Sequence, residues 1–181
     1  PLGSAAGYGT SFPIDRLQTT DELQFGNLLV SAVSAQMLRG ATEKATANAV
    51  GTITGVLSKM AYDLVMYNSQ DMGFVELPKE MTTGSSIMPH KKNPDVFELT
   101  RAQCNKIQGV SNNLALMTVN LPSGYHRDFQ LLKEVLFEPL IQFLDILDIL
   151  IFAIPQIKIK EGFMDQTKFE TIYTVETINK M

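Results

Sequence analysis

The sequence predicts an all-α fold built as a bundle of long helices, and three observations carry that expectation. No proline interrupts the stretch between Pro13 and Pro78, where β-branched runs are short. Apolar residues there recur at helical spacing, with Val50, Ile53, Leu57, Met60 and Leu64 stepping by 3, 4, 3 and 4. Charged residues make up only 19% of the 181 residues, against about 25% in an average protein, so the helices have little polar surface to turn outward. A helix of roughly 40 residues would be about 60 Å long, too long for a compact globule of this size. Such helices need partners from other subunits or other stretches of chain, so an oligomer is expected.

The elements follow in order. Thr19-Thr20-Asp21-Glu22 fits the S/T-x-x-E capping box, which starts a short helix at about Thr20. A long helix is expected from about Leu29 to Asp71. Gly26, Gly40, Gly51 and Gly55 each weaken helix by up to about 1 kcal/mol relative to Ala, yet small residues also let helices approach closely. Asn93-Pro94 opens the second long helix, with Asn as N-cap and Pro at the first position, where its missing N–H is not needed. Ile107, Val110, Leu114 and Met117 carry that helix toward Pro122. A third runs from Asp128 to about Ala153, with Leu132, Leu136, Leu140, Phe143, Leu147 and Leu150 along one side and a kink at Pro139. After Pro155 the alternating Ile157-Lys158-Ile159-Lys160 interrupts the helical pattern, and a polar helix is expected from about Asp165 onward.

Composition narrows the function classes. Fifteen Lys+Arg against nineteen Asp+Glu give a net charge of −4, with no basic surplus to follow a phosphate backbone, so no nucleic-acid partner is expected. The single cysteine, Cys104, excludes an internal disulfide framework and suits a reducing compartment. A membrane-spanning helix needs about 20 apolar residues, whereas the most apolar stretch, Ile149 to Ile157, contains Pro155. The start lacks the charged-then-apolar pattern of a signal peptide. These observations predict a soluble, mildly acidic, cytoplasmic protein without a membrane partner.

Chemistry concentrates in two stretches. From Met81 to Arg101 a small, polar, Gly-containing loop leads through Lys91 and Lys92 into a helix N-terminus. Free backbone N–H groups and the positive end of the helix dipole make such a junction an anion site, able to stabilise an oxyanion on Ser85 or Ser86. An ordinary surface loop before a capped helix accounts for the same residues. Glu98, expected in the second turn, is either a solvated carboxylate or one that orients a catalytic histidine. The only histidines, His90 and His126, lack cysteines or carboxylates at ligand spacing, so no metal is expected. The second stretch is Leu121 to Glu134. Asp128 can cap a helix carrying Gln130 and Lys133 on one face, and with Tyr125 they offer a hydroxyl, an amide and an ammonium. That set suits recognition of a carboxylate or amino acid; a solvated first turn is the alternative.

The run from Gly84 to Pro94, Gly-Ser-Ser-Ile-Met-Pro-His-Lys-Lys-Asn-Pro, strongly resembles the G-S-S-x-M-P-x-K-x-N signature of the fumarase/aspartase superfamily. Tyr125-His-Arg-Asp-Phe-Gln-Leu-Leu-Lys-Glu134 resembles the Y-x-R-D-x-Q-x-x-K-E stretch of argininosuccinate lyases, and Pro1 to Arg16 resembles their P-L-G-x-x-A-x-x-G-T-x-x-P-I-D-R. The likeness covers nearly the whole chain and weakens after Pro155. It implies the superfamily's long-helix bundle, a homotetramer with sites shared between subunits, no cofactor, and elimination of fumarate from argininosuccinate to leave arginine. Ser85 would be the base, with its alkoxide stabilised by Lys91; Glu98 would orient the general acid. Ser86 and Asn93 would bind substrate, while Tyr125, Gln130 and Lys133 would hold its amino-acid end.

Three departures accompany the likeness. The family's acid-bearing T-x-x-H segment precedes the Pro-Leu-Gly motif, so this chain is expected to be a central portion, inactive alone. Residues 1–154 would be an incomplete central bundle domain and 155–181 the beginning of a small C-terminal helical domain. His90 stands where argininosuccinate lyases commonly carry Gln and adenylosuccinate lyases His. Ser34-Ala35-Gln36-Met37 stands where many argininosuccinate lyases carry Ser-Asp-Arg-Asp. The alternatives are therefore adenylosuccinate lyase or a lyase for a variant succinylated substrate, and beyond them a non-catalytic structural relative.

Overall fold

Each helix start in the computed structural model follows from what can satisfy its free N–H groups. The structure describes residue 5 and residues 8–84, 86–88, 91–163, 169, 171 and 174–180. Helix α1, Arg16–Glu22, begins earlier than expected because Asp15 caps it, its carboxylate accepting from the Gln18 N–H at 2.9 Å. The capping box at Thr19 does not form. Thr20 lies inside the helix with its hydroxyl on the Arg16 carbonyl, and Glu22 is taken by the Gln18 amide at 2.7 Å.

The single helix expected over 29–71 is two. Ser31 caps α2, Ala32–Met37, and α3 runs over Ala41–Tyr67. They are separated at Gly40, whose φ of +87° no right-handed helix can hold. The Gly40 N–H instead donates to the Glu43 carboxylate at 2.9 Å, close to the start of α3. The second long helix is also divided: α4 is Asp95–Gln108 and α5 is Val110–Met117, with Gly109 between them. It stops short of Pro122, and Asn120 just beyond has φ +63°. A 3₁₀ turn, Arg127–Gln130, precedes α6, Leu132–Ala153, which contains Pro139. The third helix therefore starts four residues later than the expected Asp128 and ends where expected.

The chain divides into two compact units, residues 1–55 with 105–143 and residues 56–104 with 144–181. In the first, Ala47, Val110, Leu114, Phe129, Leu132 and Leu136 form the core. Gly51 and Gly55 face Gln108, where an added Cβ would stand 3.8 and 3.5 Å from it. Those are ordinary van der Waals distances, so an alanine would fit at either position. In the second unit Val75, Leu77, Met81, Phe97, Cys104, Ile146, Leu150 and Ala153 are buried. Strand β1, Val75–Glu76, pairs antiparallel with β2, Lys158–Ile159, the stretch where helical periodicity lapses. Phe74 beside it packs on Tyr67, Phe163 and Phe169, with centroids 4.8–5.5 Å apart. Helix α7 is Thr174–Asn179; the expected helix start at Asp165 lies outside the described residues.

The buried stripe of α3 is shifted from the bulky seam that the spacing predicts. Ala47, Thr54 and Ala61, seven apart, are buried, while Ile53 is 47% exposed. The buried line of α3 is thus made of small side chains, and the larger Val50, Leu57, Met60 and Leu64 are only half-buried.

Candidate active site

The first candidate stretch is closed by backbone. The Thr83 N–H donates to the Asn93 carbonyl at 3.1 Å, and the Asn93 N–H donates back at 2.9 Å. This bridge pinches the loop at residues 84–92. The Thr83 hydroxyl also bonds the Asp95 carboxylate. The N–H groups of Phe97 and Glu98 both reach the Pro94 carbonyl, at 2.9 and 3.1 Å, so helical bonding begins one residue after the expected Asn93 cap. Asn93 is committed to the bridge instead. Phe97 is fully buried and anchors the start of α4.

On this frame the polar groups stay available. Ser86, Lys91 and Glu98 are exposed, and Asn93 is half-buried. Glu98 lies in the first turn of α4, not the second, together with Asp95. Lys91 is held through its backbone, its N–H donating to the Met88 carbonyl at 3.0 Å. Ser85 and His90 lie outside the described residues.

The second stretch, in the other unit, is held mainly by side chains. The Tyr8 hydroxyl donates to the Ser123 carbonyl at 2.9 Å and lies over Gly124, whose φ is +122°. A Cβ at Gly124 would stand 3.3 Å from the Tyr8 oxygen. The His126 Nε2–H donates to the Pro122 carbonyl at 2.6 Å. Phe129, only 5% exposed, fastens the 3₁₀ turn to the core. Asp128 does not cap a helix: the turn follows extended backbone at His126, and the Asp128 carbonyl inside it accepts from the Leu131 N–H at 3.0 Å.

Of the expected residues, Tyr125 and Gln130 meet: the Gln130 amide donates to the Tyr125 hydroxyl at 3.4 Å. Lys133 is exposed in the first turn of α6. The pKa of Tyr125 is lowered, most by the Gln130 hydrogen bond; desolvation opposes this, and a hydrogen bond from Arg39 with the charges of Arg39 and Arg127 lowers it further.

Arg39 is the residue that sequence reasoning missed. Its guanidinium carbon lies 4.9 Å from the Phe129 ring centroid and 5.6 Å from that of Tyr125. It occupies the turn between α2 and α3, where no periodicity marks it. The available signal was its place beside Gly40, just past the Ser34–Met37 stretch. Elsewhere, burial raises the pKa of the Cys104 thiol. Among the described residues no cluster of His, Cys, Asp and Glu could hold a metal ion, and no helix is long and apolar enough to cross a membrane.

The lyase family model matches residues 1–109. The argininosuccinate lyase of Bacteroides thetaiotaomicron is 51% identical over all 181 residues, which span 41% of its length. That of Parabacteroides distasonis is 50% identical over 180 residues, 99% of this chain and 40% of its own. The chain thus spans about two fifths of these curated relatives. Among solved structures, an EDDS lyase in complex with formate matches 99% of this chain and 35% of its own, with TM-score 0.74 and 20% identity. A fumarate lyase:delta crystallin from Brucella melitensis matches 90% of this chain and 37% of its own, with TM-score 0.72 and 19% identity. At those identities the likeness concerns the fold, an all-α helical bundle. The chain belongs to the lyase family whose model it matches over more than half its length.

Proposed function

We propose that the protein releases fumarate from argininosuccinate by β-elimination, leaving arginine. The observation that carries this reading is the 51% identity to an argininosuccinate lyase over the entire chain, both polar stretches included. In the proposed reaction the Ser85 alkoxide removes a proton from the carbon beside a carboxylate of the succinyl group. Lys91 and the N-terminus of α4 favour the alkoxide, and Lys91 with Asn93 and Ser86 stabilise the resulting aci-carboxylate. The C–N electron pair then leaves with the guanidino nitrogen, which takes a proton from a histidine outside this chain, oriented by Glu98. Tyr125, Gln130 and Lys133 hold the amino-acid end.

The working form is proposed to be a cytoplasmic homotetramer with sites assembled from several subunits. Exposed apolar residues on α6, among them Phe137, Ile141, Leu144 and Ile151, support such an assembly, because large apolar faces favour burial. Residues 1–154 would contribute to the central bundle and 155–181 would begin a smaller domain. The test is to supply argininosuccinate to the full-length protein and follow fumarate by ultraviolet absorbance, with adenylosuccinate as the competing substrate. Steady fumarate release from argininosuccinate is expected; release from adenylosuccinate alone would sink the assignment. The 181-residue chain by itself should be inactive.

A further inference from the structure

We propose that Arg39, seated on the Phe129 and Tyr125 rings, binds the carboxylate at the amino-acid end of the substrate. This rests on the lyase reading above and adds a residue to it. One guanidinium N–H is engaged with the Tyr125 hydroxyl; a guanidinium seated on aromatic rings still has further edge N–H groups, and such an edge matches a carboxylate in a bidentate fork. Among the described residues no carboxylate forms an ion pair with Arg39, so its charge has no acidic partner there. The Tyr125 hydroxyl shares the platform and takes a hydrogen bond from the Gln130 amide. One turn earlier, Gln36 is only 8% exposed, and its amide nitrogen has no partner among the described residues. A buried donor left unmatched is uncommon in a finished protein interior and marks a place where an acceptor is wanted.

The local backbone fixes where Arg39 stands. Its N–H bonds the Gln36 carbonyl at 3.3 Å, and the next residue, Gly40, is pinned in a left-handed conformation beside Thr118. The guanidinium is therefore pre-positioned, which lowers the entropic cost of holding an anion. The stretch Ser34-Ala35-Gln36-Met37 lacks charge; Arg39, two residues on, supplies a cation by a different route.

Arginine and agmatine differ by the α-carboxylate, so their relative affinity reads this contact directly. On the full-length protein, inhibition of fumarate release by each is measured for wild type, Arg39→Met and Arg39→Lys, with fumarate inhibition as a control. The wild type should bind arginine more tightly than agmatine. Arg39→Met, which keeps an apolar stem on Phe129, should weaken arginine about 10- to 100-fold while leaving agmatine and fumarate nearly unchanged. Arg39→Lys keeps the charge without the fork and should fall between them. Equal losses for arginine and agmatine would mean that Arg39 only supports the turn, and the proposal fails. It fails too if the wild type does not distinguish the two ligands. Should the Met variant not fold, an unchanged arginine preference in the Lys variant overturns it and a reduced one supports it. Absence of fumarate release from argininosuccinate by the wild type would defeat the underlying lyase reading instead.

Discussion

The loop at 84–92 and the turn at 121–131 are both candidate binding elements, yet they are held by opposite means. The first is closed by two backbone hydrogen bonds between Thr83 and Asn93, and Ser86, Lys91 and Lys92 in it stay exposed. The second depends on side chains: Tyr8 over Gly124, His126 on Pro122, Phe129 in the core and Arg39 on the aromatic rings. A loop closed by backbone leaves its side chains free for chemistry, so their replacement should alter activity more than stability. A turn closed by side chains couples binding to packing, and its replacements should alter both.

The largest expected effect lies in the first loop. Ser85→Ala in the full-length protein should lower fumarate release at least 10³-fold, on the order of what loss of a catalytic base costs, with little change in melting temperature. Unchanged turnover would remove Ser85 as the base. In the second region Phe129→Ala should cost about 3–5 kcal/mol, because a buried aromatic side chain leaves a cavity; denaturant unfolding would measure it. A loss below about 1 kcal/mol would show that the turn is not anchored through this ring.

Gly40→Ala tests the platform behind that turn. The left-handed backbone and the Thr118 methyl, 2.6 Å from the added Cβ, should together cost about 2 kcal/mol or more. Thr118→Ala in the same background should recover part of the loss, and no recovery would leave backbone strain as the sole cause. The smallest expected effect is a titration. Hydrogen bonding from Gln130 and the positive charge of Arg39 favour the phenolate, so Tyr125 should ionise below the ordinary tyrosine value of about 10. Gln130→Leu should raise it again, by difference absorbance near 295 nm against Tyr125→Phe. No upward movement would assign the shift to Arg39 and Arg127.

The helices were legible in outline because their signals are local. Ile107, Val110 and Leu114 were expected on the buried side of the second long helix and are buried, and Ala153 ends α6 as expected. Starts were less legible, since several nearby residues compete to cap. Asp15 takes the role expected near Thr20, and Asn93 is drawn into the bridge with Thr83. Of the candidate site, Gly84–Pro94 and Tyr125–Lys133 could be identified from contiguous residues alone. Arg39 could not, because its rings come from residues 86 and 90 positions later in the chain.

An all-α chain of lyase-family pattern, the apolar seam from Ile107 to Leu114 and the two polar stretches could be read from sequence alone, because these depend on neighbours within a few residues. Only the tertiary structure decided that Gly40 divides the first long helix, that small residues form the buried line of α3, that β1 meets β2, and that Arg39 joins Tyr125. Each of these depends on surfaces distant in sequence coming within a few ångströms, where packing overrides local preference.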